Sequence, residues 1–411
     1  MNTLLIVIIA FVLLEFGVST TLSYLNGTWM SHSIPDLLQG LYDEEKYRKQ
    51  QSYMRAGRRV ASYSRCVSVV ATLALLITGL FGWYDDWCKQ AVQSPLLQLI
   101  VFFLGCQVLD LVLDLPFSYY STFVVEERFG FNKSTRATFW LDSLKSFIVN
   151  FIVTSIIMGG IFLLYQWLGT SFWIWASVFL AAVILIINLF YSNLIVPLFN
   201  KQSPLEAGEL RTAIEQAAAR MQFKIKNIYV INGSKRSTKA NAYFTGLGPK
   251  KRIVLYDTLM EQMTTDEIVA VLSHEIGHYK HHDIIANMLQ AIVMVAVYLF
   301  AFSLVVTSPE LPVAMGGTAP SFALSLFAFS LLLTPIDIIL GPLGNMFSRR
   351  AEYRADAFAA QQGYGEALIS ALKKLSVNSM TNLTPHPLVV WFRYSHPTLY
   401  QRIVAIKKAE K

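Results

Sequence analysis

Five consecutive residues, His274-Glu275-Ile276-Gly277-His278, carry the strongest chemical signal in this chain. Two histidines four positions apart on a helix stand over one another, about 5–6 Å between Cβ atoms, so both imidazoles reach one metal ion. The glutamate between them is turned by about 100° from His274. It misses the metal but reaches a water beside it. Two imidazole ligands and a carboxylate base are what metal-assisted hydrolysis requires. The local sequence supplies the helix. Thr264-Thr265-Asp266-Glu267 has the form of a capping box, and Ile268, Val271, Leu272 and Ile276 give an apolar stripe. His281 and His282 break the ligand spacing and are expected in a turn.

Catalytic zinc takes three protein ligands and keeps one position open. One apolar stretch begins just after His278 and another ends shortly before Glu352. If these two run antiparallel and adjacent, both ligand segments emerge together, which makes Glu352 the expected third ligand. Asp356 follows it at i+4 on the same helical face. It is placed to accept a hydrogen bond from a ligand imidazole and fix its tautomer.

Composition decides what surrounds these groups. The 411 residues are 54% hydrophobic and 15% charged, with a mean hydropathy of +0.45. Soluble domains carry about 25% charged residues, and single soluble cores stop growing near roughly 250–300 residues. The apolar excess therefore belongs in a bilayer. Seven stretches approach the span length of about 20 residues: 3–20, 66–84, 96–115, 146–167, 172–195, 284–306 and 322–341. The first lacks a basic leader and a small-residue cleavage site, so it is expected to remain as an anchor.

The net charge of +7 follows the topology. Lys46, Arg48, Lys49, Arg55, Arg58, Arg59 and Arg65 share one loop, and Arg128, Lys133, Arg136 and Lys145 another. Between them lies a loop with Asp85, Asp86 and Lys89; later loops hold no charge at 168–171 and only Glu310 at 307–321. Basic and non-basic loops alternate, which puts the 196–283 segment and the tail in the cytoplasm. No basic stripe interleaved with aromatics lies outside the apolar segments, so nucleic acid is not an expected partner. Cys66, Cys88 and Cys106 form no Cys-x-x-Cys pair, and neither a disulfide framework nor a cysteine metal site is expected.

The chain divides into four parts: a membrane region with five spans over 1–195, a soluble protease insert over 196–283, two spans over 284–341, and a helical segment over 342–411 that completes the metal site. Within the insert the pattern predicts a helix near 204–222 and a strand at 227–231. A hairpin is expected over 239–256, turning at Gly246-Leu247-Gly248-Pro249, and then a helix from 265. The strand that opens with Asn241, Ala242, Tyr243 and Phe244 is a candidate edge. An extended peptide can add to such an edge as a further strand, so Asn241 and Ala242 are candidate substrate-binding residues.

The chain resembles the M48 peptidases, specifically the Ste24-type CAAX prenyl proteases. The resemblance rests on the motif at His274–His278 and on Glu352 and Asp356 in a Glu-x-x-x-Asp pattern after two further spans. It rests also on Tyr394-Ser395-His396-Pro397 followed by Arg402, on Asn241-Ala242-Tyr243, on Glu127 to Lys133 and on Pro197 to Lys201. These matches cover nearly the whole chain. The resemblance implies a mostly α integral membrane protein, its roughly seven spans forming an α-barrel-like, water-filled chamber, with a small α/β zinc protease domain of gluzincin type. It implies one Zn2+ per chain and a peptide or protein substrate, prenylated C-termini included. A monomer in contact with membrane lipids is expected. The compact length is nearer to bacterial members, which points to a bacterial inner membrane rather than the endoplasmic reticulum.

His396 and Arg402 are candidate catalytic residues: either can stabilise the oxyanion formed when water attacks a carbonyl, or hold a peptide C-terminus. Glu15, Asp110, Asp114, Asp142 and Asp337 lie in or beside spans, where an acid usually faces a cavity or a partner. Asp142 and Lys145 are expected to pair or to snorkel at a span end. Two other functions remain open. A membrane quality-control protease with no prenyl requirement would use the same site. A transporter-like protein with a structural zinc is the reading from another class, and a glutamate base beside an open coordination position argues against it.

Overall fold

The computed structural model describes residues 2–30, 32–225, 227–245 and 252–410. The apolar segments are helical because a spanning segment must satisfy its own backbone polar groups in lipid. α1 (Thr3–Trp29) begins at an Asn2 side-chain cap. α2 (Glu44–Thr78) begins at Asp43 and ends where Gly79 turns left-handed, with φ +69°. α3 (Leu80–Ala91) leaves from that turn, so the second apolar stretch divides between two helices instead of running straight to residue 84. α4 (Pro95–Tyr120) passes through a π-helical turn, Ser121–Glu126, into the short α5 (Glu127–Phe129).

α6 (Arg136–Leu168) and α7 (Phe172–Phe190) are joined by a turn at Gly169–Ser171. A Cβ on Gly160 would stand 2.5 Å from the Phe179 ring. Those two positions are almost symmetric about the turn, so the helices fold back as a hairpin. α7 then runs through a π turn into α8 (Val196–Phe199).

Among the described residues, five stretches are long and apolar enough to cross a bilayer, and a bent pair makes a sixth. One of the five, Arg136–Phe199, contains the α6–α7 hairpin. The seven expected spans are reached only when its two arms are counted separately. At most 17% of each apolar window is buried inside the protein, so most of that surface meets lipid or water. Asp110 and Asp114 of α4 are both exposed.

The insert departs from expectation at its start. Gln202–Pro204 forms β1, where no strand was expected, and the helix expected near 204–222 starts later. Pro204 disfavours helical geometry at Ser203, and α9 (Glu209–Arg220) begins only after Gly208. β1 pairs antiparallel with β2 (Ile228–Ile231). β3 (Ala242–Thr245) pairs antiparallel with β4 (Arg252–Tyr256), Ala242 opposite Leu255, while β2 and β4 run parallel. The order β1-β2-β4-β3 leaves β3 at an edge. The expected turn at Gly246–Pro249 lies outside the described residues. Ile214, Ile253, Leu255, Ile268 and Leu272 share one core, which binds α9 and the sheet to α10 (Asp257–Gln262) and α11 (Thr265–Lys280).

The capping box forms as expected. Glu267 Oε2 accepts from the Thr264 N–H at 2.8 Å, and Thr264 Oγ1 from the Glu267 N–H at 3.3 Å. α11 ends at a turn through His281 and His282, the latter at φ +58°. α12 (Asp283–Ser303) is therefore a separate helix. It packs on α7 and also runs beside the segment 322–354: Phe302 meets the Phe329 ring, Tyr298 donates to Asp337 at 2.5 Å, and Gln290 lies against Gly344. The sixth and seventh spans are thus adjacent and antiparallel, as expected, while the ligand atoms themselves are brought together by α11 and the extension of the seventh span. After α13 (Glu310–Ala314) and α14 (Phe322–Leu332), the chain bends by 56° ahead of Pro335. α15 (Thr334–Ala359) then runs without a break from the apolar layer to Glu352 and Asp356. It packs on α11, and α16 (Gly365–Asn378), α17 (Pro387–Arg393) and α18 (Leu399–Ala409) close around the two.

Candidate metal centre and active site

α11 and α15 cross at Gly277. A Cβ there would stand 2.9 Å from Ala355 Cα and 3.2 Å from Phe358 Cβ. Glycine thus lets the backbones close until Glu352 reaches both histidines. His274 Nε2 and His278 Nε2 lie 3.2 Å apart. Glu352 Oε1 is 3.2 Å from His278 Nε2, and Oε2 is 3.5 Å from His274 Nε2.

A carboxylate stands behind each imidazole. Asp356 Oδ1 is 2.9 Å from His274 Nδ1, and Asp283 Oδ2 is 2.9 Å from His278 Nδ1. An ionised carboxylate can only accept, so both Nδ1 atoms donate and both Nε2 lone pairs face one point. Each carboxylate in turn holds an arginine. Arg402 Nε and Nη2 grip Asp356 at 2.9 and 2.6 Å, and Arg354 Nη2 meets Asp283 at 2.5 Å. Burial and the Arg402 charge both oppose protonation of His274, yet its bonds to Asp356 and Glu352 outweigh them and raise its pKa. His278 is raised likewise: burial opposes its charge, and Glu352 and Asp283 outweigh burial. The site therefore favours positive charge where the two Nε2 atoms converge.

The residues fit a metal. Among the described residues, His274, His278 and Glu352 present ligand atoms within 4.8 Å of one another. Glu352 Oε2 is buried with no hydrogen-bond partner among them, an oxygen that a cation would satisfy. Two nitrogens at 2.0–2.1 Å on a tetrahedral ion stand about 3.3 Å apart, close to the separation found.

A cleft of about 480 Å3 opens beside these atoms, lined by Glu275, Asn241, Ala242, His396 and Arg402 as well as the three ligand candidates. Glu275 is half-buried. The His396 side chain is 63% exposed at the rim, its Nε2 3.2 Å from Glu352 Oε1. Arg402 lies deeper, its fork engaged with Asp356. The Ala242 N–H donates to Asn241 Oδ1 at 2.9 Å, turned away from β4. All the candidate catalytic, metal and substrate-binding residues thus gather here, with Asp356 directly behind His274.

Sequence reasoning missed Asp283, Arg354 and the wall that α16 supplies through Leu368, Leu372 and Leu375. Asp283 lies five residues past His278 across a turn, a spacing with no helical face to reveal it. The available signal was an acid opening a membrane helix.

Residues 24–201 match the family described as CAAX prenyl protease N-terminal, five membrane helices, and residues 204–410 match Peptidase family M48. The chain belongs to peptidase family M48. It is 33% identical over 391 residues to a CAAX prenyl protease 1 homolog of Arabidopsis thaliana, covering 92% of this chain and 91% of that protein. It is 32% identical over 437 residues to CAAX prenyl protease 1 of Saccharomyces cerevisiae, covering 98% and 94%. The crystal structure of S. mikatae Ste24p superposes with a TM-score of 0.92 at 32% identity, covering 99% of each chain. This M48 peptidase is an integral multi-pass membrane metalloendopeptidase, and membership of that family removes the transporter alternative.

Proposed function

We infer that the chain is a zinc endopeptidase that cuts peptides near prenylated, CAAX-type C-termini at the cytoplasmic face of a membrane. The convergence of His274, His278 and Glu352 beside an edge strand, in one cleft of a membrane protein, carries this reading. The names of the relatives support the substrate class. When bound there, zinc supplies Lewis-acid polarisation of a water and of the scissile carbonyl.

The chain's own groups do the rest. A substrate strand adds to β3 at Asn241 and Ala242. Glu275 accepts a proton from the attacking water and returns it to the leaving amine. His396, exposed at the rim, is placed to donate to the developing oxyanion. Arg402, gripping Asp356, holds the His274 side of the site in place. All these residues come from one chain, which supports a working monomer. The alternating basic loops support a cytoplasmic site.

Glu275→Gln should retain metal while its kcat on a farnesylated peptide falls by about 10²-fold or more, read by mass spectrometry. Cleavage at the wild-type rate would rule this mechanism out. Equal cleavage of an unprenylated twin would replace the prenyl reading with that of a quality-control protease.

A further inference from the structure

The segment leading into the substrate strand is stitched to the membrane helices. Two cations between β2 and β3 reach acids near the ends of α4 and α6. Arg236 grips Asp142 of α6 with two prongs, Nε at 2.7 Å and Nη2 at 2.9 Å. The same guanidinium holds Asn200 Oδ1 at 2.8 Å and the Phe199 carbonyl at 2.6 Å. Lys239 Nζ donates to Glu126 Oε2 at 2.9 Å and to the Tyr53 hydroxyl at 2.8 Å, and that hydroxyl donates to Glu126 Oε1 at 2.5 Å. The Phe131 ring lies 4.5 Å from the same ammonium.

The backbone joins in. The Lys133 N–H donates to the Arg236 carbonyl at 3.0 Å, and the Thr238 N–H to the Phe131 carbonyl at 3.1 Å. Toward the protease side, Gln262 Nε2 donates to the Thr238 carbonyl at 2.7 Å, and the Thr258 hydroxyl to the Lys239 carbonyl at 3.1 Å. Asn241 and Ala242 come immediately after. Asp142 was expected to pair with Lys145 or to snorkel; Lys145 instead bonds the Leu198 carbonyl at 2.8 Å, and the acid is given over to this strap.

A loop that merely joined two strands would need none of this. Its effect is to set the height of β3 against the helices. A strand rises about 3.3 Å per residue, so a small slip puts a different bond over the metal.

We propose that Arg236 and Lys239 are positioning residues: they tie the peptide-pairing strand to the ends of α4 and α6, and so select which bond of a membrane-anchored peptide is cut. The inference rests on the proposed peptidase reading of the cleft. The test uses the full chain in lipid nanodiscs with a farnesylated peptide and its unprenylated twin. In Lys239→Met, kcat/KM for the farnesylated peptide should fall at least about tenfold while the twin loses less than about threefold, because only the anchored peptide cannot slide to compensate. Its products should shift to neighbouring bonds by mass spectrometry, with metal content and Tm unchanged. Lys239→Arg, and the exchange of Lys239→Glu with Glu126→Lys, should restore the single product. If Lys239→Met does not fold, Asp142→Asn reports on the same strap. Unchanged cleavage positions, or equal losses on both peptides together with loss of metal, overturn the proposal. Wild-type cleavage of the farnesylated peptide checks the functional reading separately. If only the twin is cut, its cleavage positions in Lys239→Met decide the positioning role.

Discussion

The two histidines of the metal centre are backed by the same sequence of groups, imidazole, carboxylate, guanidinium, built into very different surroundings. In the His274 arm, the Asp356 side chain is 0% exposed and Arg402 12%. In the His278 arm, Asp283 is 5% exposed but Arg354 is 51%. The inner arm uses a two-pronged grip between α15 and α18. The outer arm joins the start of α12 to α15 by a single bond. Where water is excluded, a charge cannot lose its partner cheaply, so the inner arm is part of the fold. At the rim, water can replace the arginine, so the outer arm can tune the ligand without holding the structure.

The largest expected effect separates the arms at once. Asp356→Ala takes the two-pronged grip from the buried Arg402 and leaves it only a 3.6 Å contact with Glu352, which should cost about 3–5 kcal/mol of stability. Denaturation with metal analysis reads this, and a loss below about 1 kcal/mol would erase the distinction between the arms. Asp283→Asn should fold nearly as well as wild type, yet bind metal about 10–100-fold more weakly. Competition with a chelator measures that, and unchanged affinity would mean that the Asp283 bond does not orient His278.

Glu267 is a useful control, since it shares α11 with both ligands but belongs to neither arm. Burial pushes its carboxyl up, but Lys374, Ser370 and the Thr264 N–H outweigh burial and hold it below the usual 4.5. A group with a depressed folded-state pKa contributes fully above its unfolded value and loses that contribution as pH falls through the folded value. The Tm gap between wild type and Glu267→Gln should therefore be widest near neutrality and shrink below pH 4.5. A gap that grows in acid would contradict the assignment. The smallest effect belongs to Arg354→Ala, within about 1 kcal/mol because the guanidinium is half in water. A collapse of metal binding there would show that the outer arm is as rigid as the inner one.

Much of the site was legible without coordinates because it is local. The spacing of His274 and His278, the position of Glu275 and the capping box at Thr264 are consequences of helical period, and each reappears in the structure. Apolar runs marked the spans for the same reason, though Gly79 and the bend before Pro335 redistributed them. β1 is hidden in the sequence because three residues carry too little pattern to outweigh the helical run after them. Asp283 left only the weak mark of an acid opening a membrane helix, and Arg354 and the bond between Arg236 and Asp142 left none, since each joins elements whose relative placement has no period.

By itself, then, the sequence determined which side chains could bind a metal, that they stand on a helix, and that the chain enters a membrane. Backbone geometry and the cost of apolar surface in water act over a few residues and are written there directly. Only the tertiary structure decided that α11 crosses α15 at Gly277, that each imidazole receives its own carboxylate, and that β3 is tied to α4 and α6. Those are distances between elements, set by how close two backbones can pack and where buried charges find partners.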